Sequence, residues 1–236
     1  QFVRVTFDED FLTGPGMFDP VDGTEDDRAL LESLAPLVRS EIVERLRTIF
    51  ADTPIVILGP EDAATNGPVA ELHYAADRVE AEDQTAVDAA LPPPDPTRPQ
   101  CQTRVVFGEV LPRGGLLDPG NRVLDDRAVV YVGSFQGRGE ACWTAAINST
   151  SSMVLTLAQS GAHEIGHLVG LHHVEQVSLM NRTATLAFLR ELGFARGQIQ
   201  FERVLDGEVV SEVVPAVVQD PQAYFRAIFA PRDAAE

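Results

Sequence analysis

Lysine is absent from all 236 positions, so the 18 basic residues are all arginine, and they face 36 acidic ones for a formal net charge of −18. A phosphate-binding surface needs the opposite balance, and nucleic acid is excluded as an expected partner. The arginine-only usage itself receives no functional role. Long apolar runs are also missing: nothing approaches the roughly 18 to 20 residues that a membrane helix requires, so no membrane span is expected. Cysteine is scarce, with Cys101 and Cys142 far apart and no CxxC spacing, which excludes a cysteine-built metal site. In an exported protein a disulfide between these two is the natural reading, contributing roughly 4 kcal/mol in the chain-entropy model. Two buried thiols are the alternative.

Histidine is rare too, with five in the chain. His163, His167, His172 and His173 fall within "SGAHEIGHLVGLHHVEQVSLMN", Ser160 to Asn181, and only His73 lies elsewhere. A composition of 44% hydrophobic and 23% charged residues describes a globular chain able to bury a substantial core. The opening at Gln1, directly on a strand-like run, leads us to expect an exported protein whose leader has been removed, secreted or held in the cell envelope, and monomeric.

"FVRVTF" (Phe2 to Phe7) alternates and predicts a half-buried strand. Thr24 and Asp27 make a capping-box-like start, and apolar spacing from Leu31 to Ile49 predicts a helix over about 26–50, kinked by Pro36 or beginning at it. "TPIVILGP" reads as a strand buried on both faces and parallel to the first. Residues 61–99 read as a surface excursion with "AELHY" as one strand. "TRVVFGEV" (103–110) and "AVVYVGSF" (128–135) predict strands, with "ACWTAAI" a third candidate. "SSMVLTLAQSGAHEIGHLVG" predicts a helix capped by Ser151 or Ser152 and ended by Gly170. "TATLAFLRELGF" reads as a further helix, "QIQFERVLDGEVVSEVV" as a hairpin turning at Asp206-Gly207, and "DPQAYFRAIF" as a final short helix.

On a helix, His163 and His167 lie four residues apart on one face, a half-site for zinc, which takes neutral imidazole nitrogens. Glu164 flanks the metal without ligating it, the place for a general base acting on water. Gly170 permits the positive φ that turns the chain back, and His173 then becomes reachable as the third ligand. His172 reads as a bystander and His73 as a surface or strand residue.

With Met180 placed seven residues after His173, H-E-x-x-H-x-x-G-x-x-H followed by a methionine resembles the metzincin zinc endopeptidases and their Met-turn. The nearest flavours are matrixin-like and archaemetzincin-like. The resemblance covers Ala162 to Met180 specifically and implies His163, His167 and His173 as ligands of one catalytic zinc, Glu164 as base and Met180 as structural. It implies a mixed α/β (α+β) domain over 1–194: a twisted mixed sheet, a backing helix and an active-site helix. A hairpin-and-helix appendage over 195–236 follows, able to pack as part of the same domain. It further implies a peptide or protein substrate laid antiparallel along an edge strand, for which "AVVYVGSF" is the candidate, and a side-chain pocket lined by Asn181, Arg182 and Thr183.

Two departures stand out. Arg182 replaces a tyrosine found in some members, and Val174 rather than a cysteine follows His173; any latency segment with a cysteine switch is expected to lie outside these 236 residues. Asp26-Asp27 and Asp125-Asp126 are acidic pairs of the kind that bind calcium, but no D-x-D-x-D-G loop is spelled out. Asn148 and Asn181 begin sequons by spelling alone. The competing readings are a peptidase dedicated to one partner protein and a zinc-stabilised binding module without turnover. Retention of Glu164 argues against the binding module.

Overall fold

In the computed structural model the described residues are 1–14, 25–77, 79–80, 105–106, 108–111, 120–135, 149–174, 178–180, 192–205 and 208–229. Their order is β1 (Phe2–Phe7), α1 (Glu25–Ile49), β2 (Val56–Leu58), β3 (Val69–Ala75), β4 (Val79–Glu80), β5 (Val105–Val106), β6 (Gly108–Leu111) and β7 (Arg127–Tyr131). A 3-10 turn (Val132–Phe135), α2 (Thr150–Leu168), β8 (Gly197–Leu205), β9 (Glu208–Gln219) and α3 (Pro221–Ile228) follow. The class is mixed α/β: a five-stranded sheet in the order β2-β1-β3-β7-β6, with all neighbours parallel except β6, which runs antiparallel to β7. Among the described residues no helix is long and apolar enough to cross a membrane.

Alternation decides which sheet face meets the helices. Val3 and Val5 of β1, Ala70, Leu72 and Tyr74 of β3, and Ala128 and Val130 of β7 share one core with Val38, Ile42, Leu46 and Phe50 of the α1 side and Leu157, Ala158, Ala162 and Ile165 of α2. Each valine, leucine, isoleucine or phenylalanine side chain so withdrawn from water is worth roughly 1.5–3 kcal/mol, and each alanine methyl less. The opposite face carries Thr6, Glu71 and His73. There the His73 ring bonds Asp8 Oδ1 through Nε2 at 3.0 Å and meets the Thr6 hydroxyl through Nδ1 at 2.9 Å. α2 packs against β3, β6, β7 and α1, which puts it under the antiparallel end of the sheet.

Several expectations need correction. β2 is an edge strand whose second face is open at Val56, 46% exposed, and covered at Leu58, 8% exposed, so "TPIVILGP" is buried on both faces only toward its end. Ile55 and Ile57 reach the core from the other face. "AELHY" belongs to the central strand β3, so residues 69–75 are no surface excursion. "AVVYVGSF" is strand only to Tyr131 and then coils into the 3-10 turn. "TRVVFGEV" is divided between β5, which pairs with β4, and β6 in the main sheet. α1 extends to both sides of Pro36, which therefore does not start it.

α2 is capped by Ser149, whose hydroxyl accepts from Ser152 N, while the Ser152 hydroxyl answers Ser149 N: a reciprocal capping box one turn earlier than Ser151 or Ser152 as caps would require. Leu192 to Phe194 are not helical, and the rest of the helix expected over "TATLAFLRELGF" lies outside the described residues. So do Thr24, "ACWTAAI", and Cys101 and Cys142. The β8–β9 register pairs Leu205 with Glu208, leaving Asp206 and Gly207 between them.

Candidate metal centre

The helix end builds the site. Gly170 takes φ 91°, and the Gly170 N–H donates to His167 O at 2.9 Å while Leu171 N–H donates to Gly166 O at 2.8 Å. This pair of bonds is the Schellman arrangement, which needs a residue without Cβ strain at the left-handed position. The reversal brings His173 back over α2. Nε2 of His163 and His167 lie 3.0 Å apart, and His173 Nε2 lies 3.1 Å from each.

The other ring nitrogens say what those Nε2 atoms are. His163 Nδ1 faces Leu179 O at 2.5 Å and His167 Nδ1 faces Leu171 O at 2.8 Å. A carbonyl only accepts, so each Nδ1 carries the proton and each Nε2 presents a bare lone pair. Two lone pairs 3.0 Å apart repel unless a cation lies between them. Tetrahedral nitrogen ligands at 2.0–2.1 Å from an ion stand about 3.3 Å from one another, close to the spacing found here. The three histidines are thus able to hold a metal ion, and among the described residues they form the one such group of histidine, cysteine and acidic side chains. Burial favours the neutral, ligating state. It lowers the pKa of His163, and burial followed by the neighbouring His163 ring lowers that of His167 to about 3.

Glu164 is buried on the same helix, 7% exposed. Burial first, and the Glu109 carboxylate second, push its pKa up to about 8. Its carboxylate packs under β6 at Gly108, where a Cβ would come within 2.5 Å of Oε1. A glycine inside a strand-like run signals such close approach, so Gly108 in "VVFGEV" is the sequence signal for this contact. Glu109, its neighbour, accepts from the Tyr131 hydroxyl. Met180 is fully buried beneath α2, and a Cβ on Gly166, between the two helical histidines, would lie 2.4 Å from its Sδ. The adjacent Leu179 supplies the carbonyl that orients His163.

"AVVYVGSF" is not the edge strand that the resemblance leads one to expect. β7 pairs on both sides, with β3 and β6, so "AVVYVGSF" has no free edge; the terminal strand beside α2 is β6. His172 does not join the three Nε2 atoms, and His73 sits on the far sheet face. Asn181, Arg182 and Thr183 lie outside the described residues. Two residues escaped the sequence reading altogether: Gln219, bonded to the main chain of His172, and Tyr224, bonded to Val169 O. No local pattern marks them, because the contacts span 47 and 55 residues. No family model, curated protein or solved structure matches this chain.

Proposed function

We propose that the chain is a secreted zinc endopeptidase of the metzincin kind, hydrolysing peptide bonds in protein substrates. The observation that carries this reading is the convergence of His163, His167 and His173 at Nε2 with a buried Glu164 on the same helix. Three imidazoles and no fourth protein ligand among the described residues match catalytic rather than structural zinc sites, which are closed by four. When bound there, zinc supplies Lewis acidity, lowering the pKa of water toward about 7 and polarising a carbonyl.

The chain's own residues do the rest. Leu179 O and Leu171 O hold the His163 and His167 rings in the ligating tautomer. Glu164 accepts the proton of the attacking water on its carboxylate and returns it to the departing amine. Its site already favours the protonated form, and a nearby cation pulls the affinity back down, which poises the group to both take and give a proton. β6, the strand over Glu164, is the edge along which a substrate main chain aligns, with Gly108 leaving room for the carboxylate.

The purified protein is expected to carry about one zinc per chain and to cleave an unfolded protein such as casein. Glu164→Ala should keep the metal and lose cleavage by about 100-fold or more. Unchanged cleavage in that variant removes Glu164 as base. A wild-type protein that binds zinc but cuts nothing in a diverse peptide library instead leaves a binding module.

A further inference from the structure

The third ligand differs from the other two in how it is held. His163 and His167 ride on α2, whose backbone fixes them, whereas His173 lies in the irregular stretch after Gly170. A ligand on a loop is useful only if its supports hold it to within about 0.5 Å of the ligating geometry. Those supports come from the C-terminal elements. The amide of Gln219, the last residue of β9, spends both of its polar ends on one residue. Oε1 accepts from His172 N–H at 2.8 Å and Nε2 donates to His172 O at 2.9 Å. Only one orientation of the amide satisfies both bonds, and Gln219 is itself buried at 8% exposure.

Around this clamp the same stretch is tied twice more. Val174 bridges Ile199 of β8, and its N–H donates to Met180 O at 2.9 Å. The Tyr224 hydroxyl of α3 donates to Val169 O at 2.7 Å and accepts from Gly120 N–H at 2.8 Å. The residues before, beside and after His173 are thus each held from β8, β9 or α3.

On this geometry, and resting on the reading of the three histidines as a metal site, we propose that Gln219 is a positioning residue for the third ligand. By pairing with both backbone groups of His172 it fixes the peptide plane leading into His173, and with it the direction in which the imidazole leaves the chain. Glutamine suits the task chemically. Methionine of similar shape offers neither bond, and glutamate accepts but cannot donate while ionised.

The test uses the full chain and titrations of zinc and of cobalt alone, with the cobalt visible spectrum as a report on coordination. Gln219→Met is expected to weaken zinc binding by about 10- to 100-fold, the usual cost of losing an outer support. It should also shift the cobalt spectrum toward that of His173→Ala. Gln219→Glu should fall between Gln219→Met and wild type. Metal-free thermal midpoints accompany each titration, because a merely structural role lowers them without altering the cobalt spectrum. Zinc affinity within about threefold of wild type together with an unchanged spectrum in Gln219→Met overturns the proposal. If Gln219→Met does not fold, the same criterion applied to Gln219→Glu decides. Failure of the underlying reading looks different: wild type then binds no metal, or His163→Ala binds it equally well.

Discussion

Gly161 shows how little room separates α2 from the sheet. A Cβ there would lie 2.1 Å from the Tyr74 hydroxyl oxygen and 2.9 Å from Leu72 Cδ2. The Tyr74 hydroxyl, fully buried, donates to Leu157 O at 3.1 Å. Gly161→Ala should therefore destabilise by about 1–3 kcal/mol through overpacking. Adding Tyr74→Phe removes the oxygen in the way, so the two losses should be less than additive by more than about 0.5 kcal/mol in urea unfolding. Strict additivity would show that the hydroxyl is not the obstacle. At this scale the placing of His163, Glu164 and His167 on one buried helix was legible, because helical spacing places side chains without help from the rest of the fold. The groups orienting them were not: Leu179 O and Leu171 O are main-chain atoms, and any residue type there would offer the same carbonyl.

Among elements, α2 was read to its correct C-terminus and to the wrong cap. Gly170 was unambiguous because a left-handed C′ position has one strongly preferred occupant. At the N-terminus the sequence reading is Ser151 or Ser152, whereas the cap is Ser149, fixed by its capping box with Ser152; one serine hydroxyl is chemically equivalent to another, so residue type alone does not choose among them. Gly170→Ala places a Cβ at φ 91° and is expected to cost about 1–2 kcal/mol in unfolding free energy. It should also weaken metal binding, measured by zinc competition, since the same turn delivers His173. Loss of stability with unaltered zinc affinity would separate the turn from the ligand. Strand positions were less legible. The apolar run of "AVVYVGSF" carries no mark of what lies beside it, so composition does not tell an edge strand from an interior one. β6 is only four residues long, and its terminal place follows from pairing with Arg127 to Val130, not from its composition.

For the whole molecule, the buried ionisable groups of the site couple stability to pH. His167 has a folded pKa of about 3 against 6.5 for the free group, and Glu164 about 8 against 4.5. Without metal, the unfolded chain holds the extra proton of His167 between pH 3 and 6.5, so stability falls on acidification there. His163, also kept neutral by burial, adds to that loss. Between pH 4.5 and 8 the folded chain holds the extra proton, on Glu164, so this group costs stability as pH rises. The metal-free protein should then be most stable near about pH 6, with an alkaline decline on the order of 1 kcal/mol per pH unit. Glu164→Gln should abolish the decline between pH 6.5 and 8 while sparing the acid side, as read by urea unfolding across that range. An alkaline slope identical to wild type would mean that Glu164 is already ionised in the folded metal-free state.

What the sequence determined by itself is local: the histidine triplet able to hold a metal, the adjacent carboxylate, the turn that returns the third histidine, and the alternation that gives β1 and β3 an inner and an outer face. Each of these depends on residues a few positions apart, where helix and strand periods translate spacing directly into geometry. Tertiary structure alone decided the strand order, the terminal place of β6 over Glu164 among the described strands, and the use of the C-terminal hairpin and helix to hold the loop of His173. Those features join residues distant in sequence. Their energies come from which surfaces meet and which polar atoms pair, and no spacing rule records that Gln219 would find the backbone of His172.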